Sequence, residues 1–206
     1  MKILFLMCLF LTSNLYAQDM AAERLYLKTS SGDLVVKLFP ENAPEHVEQI
    51  KKMVHAGVYD GLLFTMSEPG FFIQTDDARN SNSGLGPLSG HNTLIRLPMI
   101  ENTYSHKKGT VSLTPIDDLS QSESALTITL SNSPHLDSEQ VIIGEVERGY
   151  ETLNRLEHAQ KDENHIFTSE QKILSAQIMT ASAAKSRFSQ AQIPVAEPIS
   201  SKYSLY

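Results

Sequence analysis

The sequence predicts a mostly-β domain, a closed antiparallel β-barrel capped by two α-helices. Short apolar or alternating segments, bounded by Gly, Pro, Asp and Ser turns, recur from Glu23 to Met179. Only two stretches, starting near Pro44 and at Tyr150, carry apolar residues at helical spacing, and they lie far apart in the chain. Many strands with two widely separated helices suit a barrel closed on itself and covered at both ends.

In chain order, residues 1–17 read as a secretory signal. Lys2 supplies the positive end, Ile3 to Leu11 is unbroken apolar sequence, and Leu15-Tyr16-Ala17 precedes polar Gln18 and Asp19. The apolar run is too short to span a bilayer, so cleavage is expected after Ala17, with Ala21 or Ala22 the alternative. Cys8 is the sole cysteine and leaves with the signal, so the mature domain has no disulfide, thiol nucleophile or thiolate ligand. The remainder is long enough to bury a sizeable core as one domain. With 17 Lys and Arg against 24 Asp and Glu, the chain is net negative and shows no basic stripe, which excludes nucleic acid and anionic membrane as expected partners.

Glu23 to Thr29 alternates Leu25 and Leu27 against Tyr26 and Lys28, Ser30-Ser31-Gly32-Asp33 turns, and Leu34 to Leu38 returns as a second strand ended by Pro40. A helix follows, capped by Asn42 or Ala43, with Pro44 in its first turn and Glu45 and Glu48 near its positive end. Val47, Ile50, Met53 and Val54 form its apolar face, and Gly57 stops it. Leu63 to Met66 and Phe71 to Gln74 are strand-like pieces around Glu68-Pro69-Gly70. Residues 75–93 are polar and Gly-rich, a long loop. Thr110 to Leu113, Ala125 to Leu130 and Gln140 to Val146 read as strands, with Ser131 to Glu139 a loop. Tyr150 to Ala159 is the second helix, with Tyr150, Leu153 and Leu156 at its spacing, and Lys172 to Met179 the last strand. Residues 181–206 lose periodicity and read as a disordered tail.

The run from Leu63 to Gln74 resembles the groove hairpin of cyclophilins, a family of peptidyl-prolyl isomerases. The family places a Phe-His-Arg strand, a Pro-Gly turn and a Phe-Met-x-Gln strand across its proline-binding groove. Phe64, Pro69, Gly70, Phe71 and Gln74 match as they stand. Tyr59-Asp60-Gly61 and the His106-to-Leu113 segment match as well, and the resemblance covers residues 23–180. It implies substrate contacts at Phe64, Phe71, Phe72, Gln74, Thr114, Thr127, His135, Leu136 and Gln140. It also implies an extended proline-containing protein segment as partner, no cofactor and a monomer, and the signal segment adds the expectation of the periplasm or the outside of the cell.

Several positions depart from the family pattern. Met66 stands where the family has its catalytic arginine, and a thioether cannot donate a hydrogen bond. Thr127 replaces the aromatic of the pocket floor, His135 a tryptophan, Gln140 a histidine, Thr114 an alanine and Pro115 an asparagine. A donor aimed at the developing transition state contributes about 2.7–4 kcal/mol, and a buried aromatic contact about 2–3 kcal/mol. Weak isomerisation, or binding without turnover, is therefore expected. Nothing in the sequence aims Arg79 or Arg96 at the groove as a substitute. For adjacent Phe71 and Phe72, strand alternation puts one into the core. The seven histidines lack metal-ligand spacing and read as surface or loop residues, and Ser112, His106 and Asp117-Asp118 form no triad pattern.

Overall fold

The computed structural model describes residues 22–76, 97–114 and 125–192. The signal segment, Cys8, Arg79, Arg96, Pro115, nearly all of the 75–93 loop and the chain from residue 193 onward lie outside the described residues. Strands β1 (Glu23–Thr29) and β2 (Gly32–Leu38) form a hairpin, followed by helix α1 (Pro44–His55). A second hairpin joins β3 (Leu63–Glu68) and β4 (Phe72–Thr75). Then come β5 (Thr110–Leu113), β6 (Leu126–Thr129), a 3-10 turn (Pro134–Ser138), β7 (Val141–Arg148), α2 (Tyr150–Glu157), β8 (Ile166–Thr180) and α3 (Ala181–Ala191).

The strands close into a barrel in the order β1-β2-β7-β5-β6-β4-β3-β8, each neighbouring pair antiparallel. Period-2 alternation fills the inside with Leu25, Leu27, Leu34, Val36, Ile73, Val111, Leu113, Leu126, Ile128, Val141 and Ile143. Val47, Ile50, Met53 and Val54 of α1 and Leu153 and Leu156 of α2 join the same core, as the helical spacing predicts. Each such side chain contributes about 1.5–3 kcal/mol on burial. Ala43 occupies the cap of α1 without a side-chain bond, because the Asn42 amide is engaged elsewhere. At the start of α2, Gly149 has φ +100°, and a Cβ there would lie 2.3 Å from the Asp33 carbonyl oxygen, so only glycine lets the helix sit against β2.

Four expectations need correction. Residues 181–191 are not a disordered tail but helix α3: the Thr180 hydroxyl caps it by accepting from the Ala183 N–H at 3.3 Å. Ala184 and Phe188 of this helix pack on Tyr26 and Val35 of the barrel's outer face, and Arg187 lies over the Tyr26 ring at 4.9 Å. The last strand is longer than Lys172 to Met179, running from Ile166 because β3 supplies partners for it as far as Met66. Tyr150 is 41% exposed rather than part of the helix's buried face. His46 and His106 are buried, not surface residues.

Candidate functional site

The β3–β4 hairpin sets the site. The Phe71 N–H donates to the Glu68 carbonyl at 3.0 Å, and Gly70 at φ +71° takes the third position of a turn whose second position is Pro69. That is the conformation a proline-glycine pair favours. The Gly70 N–H donates to Glu157 Oε1 at 2.8 Å, tying the turn to α2. Phe71 falls in the turn, outside β4, so strand alternation does not apply to it. Both phenylalanines are half-buried and meet edge to face at 4.9 Å; neither is barrel core, contrary to the sequence expectation. The Phe71 carbonyl accepts from the Leu130 N–H at 2.8 Å, fastening the turn to the end of β6.

A bulge in β3 decides what faces the groove. Phe64 pairs with Thr75 and Met66 with Gln74, so two residues of β3 oppose one of β4. Without the bulge Phe64 and Met66 would share a face. With it, Phe64 is 2% exposed inside the core, and Met66 stands half-buried beside Gln74. Phe64 is therefore a core residue and not a substrate contact, a second correction to the predicted site.

The other predicted residues come together. Met66, Gln74, Thr127 and Ser112 stand in register across β3, β4, β6 and β5. Neighbours in such a row are about 5 Å apart. At its far end Thr114 and Thr127 share a hydroxyl hydrogen bond of 2.5 Å, and Ser112 donates to Gln140 Oε1 at 2.6 Å. Thr127, at 1% exposure, forms the bottom of the site. No member of the row carries a formal charge. The row offers an amide, hydroxyls and a thioether, and no cation where the isomerase chemistry would use one.

The 3-10 turn builds the wall beside this floor. His135 lies 5.2 Å from the Phe71 ring, and Leu136 is buried. The residues that hold the wall were not singled out in the sequence. Asn102 Nδ2 donates to the Asp137 and Gln140 carbonyls, each at 2.7 Å, while its Oδ1 accepts from the Ile142 N–H at 2.9 Å. Asn42 Nδ2 donates to the Ile142 carbonyl at 2.7 Å and to Asn102 Oδ1 at 3.3 Å. Asp137 Oδ1 takes the His106 backbone N–H and faces His106 Nδ1, both at 2.7 Å. Burial pushes His106 below the ordinary 6.5, against the pull of the Asp137 carboxylate. Burial pushes Asp137 up, but the His106 N–H and ring and the Ser105 hydroxyl outweigh it and hold the carboxyl below its ordinary range. The only sequence signals for this network are the His106 and Asp137 polarity beside apolar strands, and their partners lie 31 residues apart.

Among the described residues no group of three His, Cys, Asp or Glu gathers as a metal site. The sequence matches the family described as cyclophilin type peptidyl-prolyl cis-trans isomerase/CLD over residues 24–178. It is 29% identical over 157 residues to a Brucella suis protein named "Probable peptidyl-prolyl cis-trans isomerase", covering 74% of this chain and 80% of that one. It is 31% identical over 152 residues to a peptidyl-prolyl cis-trans isomerase of Arabidopsis thaliana, covering 72% of this chain and 66% of the relative. Among solved structures, a Cryptosporidium parvum cyclophilin type peptidyl-prolyl cis-trans isomerase, crystallised in the presence of the dipeptide Ala-Pro, superposes with a TM-score of 0.62. It is 26% identical, over 76% of this chain and 99% of that one. A barrel of this strand order with a Pro-Gly groove hairpin, matched over most of its length, belongs to the cyclophilin-type peptidyl-prolyl cis-trans isomerase family.

Proposed function

We propose that the protein is a slow peptidyl-prolyl cis-trans isomerase that receives extended X-Pro segments of exported proteins along the Met66–Gln74–Thr127 row. The observation that carries this reading is the β3 bulge, which holds position 66 on the groove face beside Gln74. Rotation about a peptide bond faces a barrier of about 18–20 kcal/mol because the nitrogen lone pair is conjugated with the carbonyl. A site accelerates it by holding the ring and flanking backbone while a donor favours the pyramidal nitrogen of the twisted state. Phe71, Phe72 and Leu136 supply apolar surface for the ring, and Gln74 supplies a backbone anchor. Met66 supplies no donor, so the rate rests on orientation, desolvation and a donor from another part of the chain. The Cryptosporidium parvum relative crystallised with Ala-Pro supports a proline-containing ligand, and the signal-like residues 1–17 support export.

The missing cation favours a second reading on the same groove: a clamp that binds proline segments without turning them over. Exchange NMR on an X-Pro peptide with the purified protein separates the two. Faster cis-trans exchange establishes the isomerase. Peptide shift changes without faster exchange establish the clamp, and the absence of both removes the groove as a peptide site.

A further inference from the structure

The hydroxyl pair at the bottom of the groove has a fixed direction. Thr127 is buried, and among the described residues its hydroxyl has Thr114 Oγ1 as its one partner, at 2.5 Å. Each threonine hydroxyl carries one hydrogen. Were Thr114 the donor, the Thr127 hydrogen would be buried without an acceptor, the costlier arrangement. Thr127 is therefore assigned as the donor, and among the described residues no acceptor takes the hydrogen of half-buried Thr114. Gln140 is oriented in the same way. Its Oε1 is occupied by the Ser112 hydroxyl at 2.6 Å, which leaves its amide hydrogens to donate. One donor thus lies just past the end of β5 and the other just before β7, next to the paired residues Leu113 and Val141.

Resting on the reading of the groove as a peptide site, we infer that its pocket selects a residue that brings an oxygen acceptor to the Thr114 hydroxyl and the Gln140 amide. The ligand class is an extended peptide whose pocket residue carries a side-chain oxygen, in place of a purely hydrocarbon ring. A bare proline ring covers these donors without satisfying them, whereas an oxygen on the ring's far edge accepts from Thr114. Because every group involved is neutral, the selection does not depend on salt.

The test uses the full chain and three peptides, Ala-Ala-Pro-Phe and the same sequence with each epimer of 4-hydroxyproline, which adds one oxygen. Binding is followed by titration NMR at low and high salt. One hydroxyproline epimer is expected to bind a few-fold to about ten-fold tighter than proline, the range of one net neutral hydrogen bond, equally at both salt concentrations. Thr114→Val is expected to abolish the preference, and Thr127→Val to weaken it by releasing the Thr114 hydrogen from its direction. Equal affinity for all three peptides overturns the inference and leaves the peptide site standing. A preference that survives in Thr114→Val also overturns it. Binding of none of them overturns the groove reading itself.

Discussion

Replacing Met66 with arginine tests whether the groove lacks only its donor. The substitution point is favourable: Met66 is half-buried on the groove face, with Gln74 opposite on one side and Ile166 on the other. A preorganised donor contributes about 2.7–4 kcal/mol to the transition state, or roughly 10²–10³ in rate. The nearest competing group on the same strand face is Glu68, two residues along at about 7 Å. A half-buried pair at that separation is worth about 1 kcal/mol. Subtracting it leaves about 1.7 kcal/mol at the lower bound, a gain of roughly 20-fold. Thr127 lies two strands away, about 10 Å, so whatever the altered floor removes from binding affects both proteins alike and cancels in the ratio. The assay is kcat/KM for an X-Pro peptide well below saturation, alongside titration NMR to confirm that the peptide still binds. A gain under about three-fold with binding intact would refute the placement of position 66 at the reacting bond.

Two further outcomes follow from the wall network. Since burial, against the pull of the Asp137 carboxylate, leaves His106 neutral to lower pH than an unfolded histidine near 6.5, the unfolded chain takes up a proton first as pH falls. Stability is therefore full above about 6.5 and declines as pH drops from there toward the lowered folded value; Asp137 adds a second loss below its ordinary 3.8. Thermal unfolding between pH 7.5 and 5 is expected to show that slope in the native protein and not in His106→Gln, and equal slopes would refute it. Asn102→Ala removes two donated bonds and the acceptor of the Ile142 N–H, leaving three backbone groups to find water. It is expected to cost about 2–4 kcal/mol in denaturant unfolding and to broaden the amide signals of Leu136 and Gln140; a loss below about 1 kcal/mol would mean that the wall is held without it.

What the sequence disclosed is what local periodicity encodes. The range Glu23–Thr29 agrees with β1 residue for residue, because alternation and a turn define both ends. The Glu68-Pro69-Gly70 turn is equally legible, since its residue types admit few conformations. Phe64 was misplaced because a bulge reverses the parity of a strand, and no residue between Phe64 and Met66 announces it. The N-terminal part of β8 carries Thr168, Ser169, Glu170 and Gln171, which have no alternation; β3 pairs with Gln171 and Ile166 on either side of a register shift there. Helix α3 is mostly Ala and Ser, with Lys185, Arg187, Gln190 and one aromatic, and it packs on Tyr26 and Val35 at the other end of the chain. The Asn42–Asn102 and His106–Asp137 contacts span 60 and 31 residues, a separation at which polarity alone names no partner.

Stability and chemistry are carried by different side chains in this barrel. The groove framework rests on Ile73, Leu126, Ile128 and Val141 facing inward, and on buried polar groups that have partners, such as the Asn102 amide and the Ser112–Gln140 pair. Replacing any of them opens a cavity or strands a polar atom, with penalties of several kcal/mol. Met66 is half-buried on the outer face and supports none of that framework, so an arginine could be exchanged for it there with almost no effect on folding. Thr127 is buried, but its hydroxyl is satisfied by Thr114, so a threonine at the floor strands no polar atom. The fold shared with the Cryptosporidium parvum relative at 26% identity therefore speaks for the framework and not for the reacting positions. Positions 66, 114 and 127, and not the degree of resemblance elsewhere, are therefore where the proposed turnover and pocket preference are to be tested.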